Sequence, residues 1–217
     1  MNFYGHLVVA SWYRPGPLFG LGAMLPDLES MAGARFQIGG GRPSQSAEDL
    51  AAGVKLHHAT DAAFHRAPDF CELVSGGVRS LQRRGIARGS ARAVAHVGIE
   101  LLLDGELASD RTRANGLAPY RAALRAGHAL AESGGAGPEA TTRFPQLLSR
   151  LEAAPIPLAY RDPSFVAQRL ERILADRPRL ALHPGDERAV TAWLTDVQPA
   201  VRETRSILTT HVHAELA

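Results

Sequence analysis

Ser90–Ala108 reads SARAVAHVGIELLLDGELA, and this stretch decides the fold class. Val94, Val97, Leu101 and Leu102 recur at helical spacing and form an apolar stripe, the mark of a packed α-helix. Working upstream, Gly85 to Gly89 reads as a hinge and Glu72 to Arg84 as another helix. Ser44 to Cys71 reads as one long helix. Ser46 stands at its start with Glu48 and Asp49 in the first turn, Leu50, Val54 and Leu56 lie near helical spacing, and Pro68 ends or kinks it. Downstream, Leu117 to Glu132 and Thr141 to Ala153 read as helices, separated by the Ser133 to Pro138 loop. After the Pro155-Ile156-Pro157 break, Asp162 caps a helix with Pro163 in its first turn, running to about Asp176. Asp186 to His211 closes the series, bent near Pro199. The first forty residues are the least regular. Met1 to Ser11 reads as a short buried helix, Trp12 to Gly22 as an apolar loop, Leu25 to Leu28 as a short helix, and Gly39 to Pro43 as a break. Alternating strand patterns are scarce. The expectation is an all-α protein, one helical bundle of about seven or more helices over residues 1–217.

Composition narrows the function classes. Hydrophobic residues make up 45% of the 217-residue chain and charged residues 21%, which excludes a disordered or low-complexity chain. Lys and Arg total 24 against 22 Asp and Glu, a formal charge of +2, too small to argue for nucleic acid. Lys55 is the only lysine, so the positive charge is nearly all arginine, whose flat fork suits phosphate and carboxylate. Cys71 stands alone, so no intrachain disulfide forms, and it reads as a core residue in a reducing compartment. No apolar run approaches the roughly 20 residues that span a bilayer. The N-terminus carries His6 and no early basic cluster, unlike a signal peptide. The expected location is the cytoplasm, without a membrane.

Two helices each carry a row of donor side chains. His57, Asp61 and His65 are spaced i, i+4, i+8, and His96, Glu100 and Asp104 repeat that spacing. Such neighbours share a helix face. The same spacing occurs on solvated faces, and His58 takes the inward place if the register shifts by one. The second row is the more telling, because Ile99, Leu101, Leu102 and Leu103 surround its acids and buried carboxylates need partners. An ion facing both rows would neutralise the acids and use the imidazoles, as in metal sites of helical bundles. Mixed carboxylate and imidazole ligation points to Mn²⁺, Fe²⁺, Zn²⁺ or Mg²⁺. These ions acidify bound water and neutralise phosphoryl oxygens, so metal-assisted phosphoester hydrolysis is the expected reaction class.

The motifs resemble those of the bacterial acyl carrier protein phosphodiesterases, divergent members of the HD superfamily of metal phosphohydrolases. The resemblance is carried by Met1-Asn2-Phe3-Tyr4-Gly5-His6-Leu7, by Gly53 to Asp61, by Ile99 to Asp104, and by Tyr160-Arg161-Asp162, Phe165 and Arg177 to Leu180. It implies one HD-like helical domain and hydrolysis of the phosphodiester joining 4′-phosphopantetheine to a serine of acyl carrier protein. It implies a divalent metal, typically Mn²⁺, held by His6, Asp27, His57, Asp61 and Asp104. Asp61 and Glu100 are the acids it would assign to catalysis, with Glu100 beside the ion or on it, and His58, His65 and His96 near the ion or substrate. The chain departs from the family at three places. Pro26 replaces the histidine of the adjacent His-Asp pair, Gly105 stands where the family has a histidine, and His65 where it often has an acid. A changed metal, another phosphoester such as a nucleotide, or a non-catalytic helical binding protein with the inherited fold are the alternatives these departures leave.

Arg79, Arg83, Arg84, Arg88 and Arg92 form the densest basic cluster. It fits an acidic partner such as acyl carrier protein, a phosphate or RNA, or a plain solvated face. No aromatic residues interleave it, which argues against single-stranded nucleic acid. Trp12, Tyr13 and Phe19 read as an end plug of the bundle or an apolar slot. His128 and His183 have no acidic row beside them and read as structural or exposed, and His211 and His213 as tail residues. Gly39-Gly40-Gly41 lacks the Lys-Ser or Lys-Thr of a P-loop.

Overall fold

The computed structural model describes residues 1–36, 44–110, 117–132 and 140–216, all in helices, turns and irregular connections, with no strand among them. Nine α-helices follow in chain order among these residues: α1 (Phe3–Tyr13), α2 (Pro17–Ala32), α3 (Gln45–Arg66), α4 (Pro68–Arg83), α5 (Arg88–Ala108), α6 (Ala118–Glu132), α7 (Ala140–Ala153), α8 (Pro163–Leu174) and α9 (Asp186–Leu216). A 3-10 turn, Leu158–Arg161, precedes α8. The all-α class is therefore as the periodicity required. The expected breaks at Gly39–Pro43 and Ser133–Pro138 lie outside the described residues.

Local chemistry sets most helix ends. Pro17, Pro68 and Pro163 each stand at the first turn of a helix, where a missing amide N–H costs nothing. Pro68 therefore starts α4, and the long helix expected to Cys71 ends at Arg66. Asp162 accepts from the Ser164 amide at 2.9 Å and caps α8. Gly33 closes α2 with φ +62°, a left-handed cap that glycine takes without strain. The apolar segment Trp12 to Gly22, expected as a loop, is instead the end of α1 and the start of α2, with only Arg14 to Gly16 between them. Two of its three glycines, Gly20 and Gly22, serve close packing. A Cβ on Gly20 would meet Leu7 Cδ1 at 2.6 Å, and one on Gly22 would meet the Leu50 carbonyl oxygen at 2.2 Å.

By its contacts the chain forms two compact units, residues 1–62 with 110–156, and residues 63–109 with 157–217. The sequence carries no sign of this division, and α3 runs across the boundary between Ala62 and Ala63. In the first unit α2 packs against α1, α6 and α7. Phe3, Leu21, Leu25, Leu28, Leu124 and Phe144 are almost wholly buried there. In the second unit α5 is central, packed by α4, α8, α9 and the 3-10 turn. Fifteen of its 21 residues are buried, so it is a core helix rather than an amphipathic one. Trp193 of α9 lies so close to α4 and α5 that a Cβ on Gly77 would sit 2.7 Å from its ring.

Candidate functional site

Two groups of histidine and carboxylate side chains, one in each unit, have the donor set of a metal centre. Within each group one ligand atom per residue lies within 4.8 Å of the others.

The first group is His6, Asp27 and His57. His6 sits on α1, whose residues Phe3 to Ala10 are all buried, and its own exposure is 1%. The His6 and His57 rings stack with centroids 3.8 Å apart. His6 Nε2 is 4.0 Å from Asp27 Oδ2 and 3.7 Å from Asp61 Oδ1. Asp61 also accepts from the Met1 amino group at 3.1 Å. His57 Nδ1 lies 2.8 Å from the Ala23 carbonyl oxygen. A carbonyl only accepts, so Nδ1 carries the proton and Nε2 keeps its lone pair. This contact exists because α2 and α3 meet backbone to backbone. A Cβ on Gly53 would fall 2.2 Å from the Phe19 carbonyl oxygen and 2.8 Å from the Ala23 amide nitrogen.

Burial pushes the His6 imidazole well below its usual pKa, helped by the positive charge at Met1 and by His57, while Asp61 opposes the shift. Burial also lowers His57, against the pull of the Ala23 hydrogen bond and Asp61. Both rings are thus held neutral, the form that binds metal. Neither ring nitrogen of His6 makes a well-formed hydrogen bond among the described residues. A buried imidazole without such a partner costs free energy that coordination would recover. The group therefore fits a divalent cation.

The second group is His65, His96 and Glu100. His96 and Glu100 lie one turn apart on α5, and His65 in the last turn of α3. His65 Nε2 is 3.0 Å from His96 Nε2 and 3.0 Å from Glu100 Oε1, and His96 Nε2 is 3.1 Å from that same oxygen. The three atoms form a nearly equilateral triangle. Donors at about 2.1 Å from an ion lie about 3.0 Å apart when their bonds meet at 90°, and about 3.4 Å apart at the tetrahedral angle. Edges of this length are compatible with three donors around one metal ion. Burial works to raise the Glu100 pKa, but positive charge nearby and hydrogen bonds with His65 and His96 hold it well below the usual range. Phe70 contacts both imidazoles, at 5.3 Å between ring centroids in each case, and covers one side.

The rows expected from sequence are thus divided differently by the fold. His57 goes to the first group with Asp61 close by, and His65 goes to the second. His96 and Glu100 stay together, whereas Asp104 is wholly buried on α5 and belongs to neither group. His65 and His96, assigned a supporting place, are central to the second group. His58 points elsewhere: it is exposed and lines a cavity with Glu29 and Arg35. Position 105 has no room for the histidine found in the resembling family. A Cβ there would lie 2.6 Å from the Tyr160 carbonyl carbon and 2.7 Å from the Arg161 nitrogen, because the 3-10 turn packs against α5. Cys71 is exposed rather than in the core, and His128 has an acidic neighbour after all, Glu152 at 3.4 Å. The basic cluster divides, since Arg84 is tied to Ser80 and Asp196.

No family model matches the chain, and no curated protein or solved structure matches it. No helix among the described residues is long and apolar enough to cross a membrane.

Proposed function

We propose that this chain is a divalent-metal-dependent phosphoester hydrolase. The finer reading, taken from the motif resemblance, is hydrolysis of the phosphodiester of holo acyl carrier protein with Mn²⁺ as the ion. The observation that carries the proposal is the triangle of His65, His96 and Glu100, with edges of 3.0, 3.0 and 3.1 Å. His6, Asp27 and His57 would hold an ion in the first unit, with Asp61 beside it. A bound ion would acidify water and neutralise phosphoryl oxygens.

The protein's own groups support that chemistry before any ion arrives. Glu100 is already ionised, so binding displaces no proton from it. His57 is fixed in one tautomer by the Ala23 carbonyl oxygen. Phe70 packs its ring against both imidazoles and gives them an apolar neighbour.

The test is metal content and hydrolysis of bis(p-nitrophenyl) phosphate, then of holo acyl carrier protein and of small nucleotides. Wild type is compared with Glu100→Gln and His57→Gln. The expectation is near-stoichiometric Mn or Fe in wild type, and a fall in activity of about 100-fold or more in Glu100→Gln. Mn²⁺ at a hundred times its Kd should stabilise wild type by about 2.7 kcal/mol. Hydrolysis of nucleotides with none of acyl carrier protein would keep the reaction class and discard the substrate. Protein that takes up no metal, with unchanged melting on adding Mn²⁺ or chelator, would leave the fold as a non-catalytic helical scaffold.

A further inference from the structure

In the second unit a cavity of about 820 Å³ opens between α4 and the start of α5. Its size is typical of small-molecule sites. Arg79, Arg88 and Arg92 stand on its wall, and no carboxylate among the described residues lines it. None of these three arginines is paired with a carboxylate among the described residues, whereas Arg66, Arg84 and Arg202 of the same unit are. The floor is apolar, made by Phe70, Val74 and Val78. His65 and His96 form one edge, so the cavity is continuous with the triangle that ends on Glu100.

Three guanidinium groups around one hollow repel one another and call for an anion. Their flat forks match phosphate oxygens in bidentate fashion. A dianionic head answers that charge better than a single carboxylate. The apolar floor in turn needs an apolar body, since water gains little against Phe70 and the valines. We propose that this cavity binds a soluble phosphate monoester of an apolar alcohol, its head on Arg79, Arg88 and Arg92 and its body on Phe70, Val74 and Val78. As a substrate-class assignment this rests on the phosphoester reading above, because His65 and His96 edge the same cavity. As a binding site it stands without the metal.

Cys71 makes the test direct. It is the only cysteine of the chain, it is exposed, and it lines the same cavity. The measurement is the rate of Cys71 alkylation by a neutral maleimide, in EDTA, with octyl phosphate below its micellar concentration as the probe. Saturating octyl phosphate should slow labelling about tenfold, octanol should protect far less, and inorganic phosphate should need a higher concentration. An Arg79→Gln/Arg92→Gln double variant with unchanged circular dichroism should raise the half-protecting concentration about tenfold or more, as expected for lost hydrogen bonds to a charged group. Absence of protection, equal protection by octyltrimethylammonium, or protection indifferent to the double variant would overturn the site. Protection by phosphatidate vesicles alone would overturn the soluble ester in favour of a lipid headgroup. Protection is read in EDTA and metal uptake in the separate chelator-free assay above, so protection with no uptake in that assay would sink the metal reading and spare this one, while uptake without protection would do the reverse.

Discussion

Asp162 accepts hydrogen bonds from the Ser164 amide at 2.9 Å and its hydroxyl at 2.8 Å, and these hold its carboxyl below the usual carboxylate range. A group lowered on folding stabilises the native state above its unfolded pKa, about 3.9 for Asp, and that support is lost as pH falls through the folded value. Asp162→Ala should therefore lose about 1 kcal/mol at neutral pH, a usual helix-cap value. The loss should shrink once the pH is taken below about 4, as urea denaturation at pH 7 and pH 3 would show. This residue was legible in sequence because its partners lie two positions away. His65 was less so, since its partners lie on another helix. Each i, i+4 step turns about 40° around a helix, so a three-member row drifts by about 80°. That drift explains why one end of each row leaves its fellows: His65 parts from His57, and Asp104 from His96 and Glu100.

At the scale of elements, backbone approach places the donors. Gly53 lets α3 lie on α2 closely enough for His57 to reach the Ala23 carbonyl oxygen. Gly53→Ala should cost about 1–3 kcal/mol by overpacking. It should also reduce metal bound by the first group while His65, His96 and Glu100 keep theirs, which denaturation and metal stoichiometry would separate. Gly76→Ala is the matched comparison. Its Cβ would meet only the Arg79 guanidinium at 4.0 Å, so the change should be neutral or stabilising by about 0.5 kcal/mol. Gly105→Ala should destabilise about as much as Gly53→Ala, because the 3-10 turn would have to retreat from α5. Helix existence was plain from periodicity. The segment from Trp12 to Gly22 reads as a loop because Gly20 and Gly22 look like breakers, whereas in the fold they are sites of helix–helix contact.

At the scale of the whole molecule, the two units are interleaved along the chain. No linker, composition shift or proline-rich stretch marks the first crossing, which falls inside α3, so sequence reading sees one bundle. A fragment of residues 1–109 carries every ligand of both groups, yet lacks α6 and α7, which pack on α2, and α8 and α9, which pack on α5. Such a fragment should be largely unfolded by circular dichroism and hold no stoichiometric metal, although its ligand inventory is complete. The same interleaving has a consequence on the ribosome. The donor side chains emerge first and the helices that enclose them last, and residues 110–217 take about 5–20 s to make at ordinary elongation rates. For that interval the apolar residues of α5 lack the helices that bury them, which makes the emerging chain a natural client for a holding chaperone.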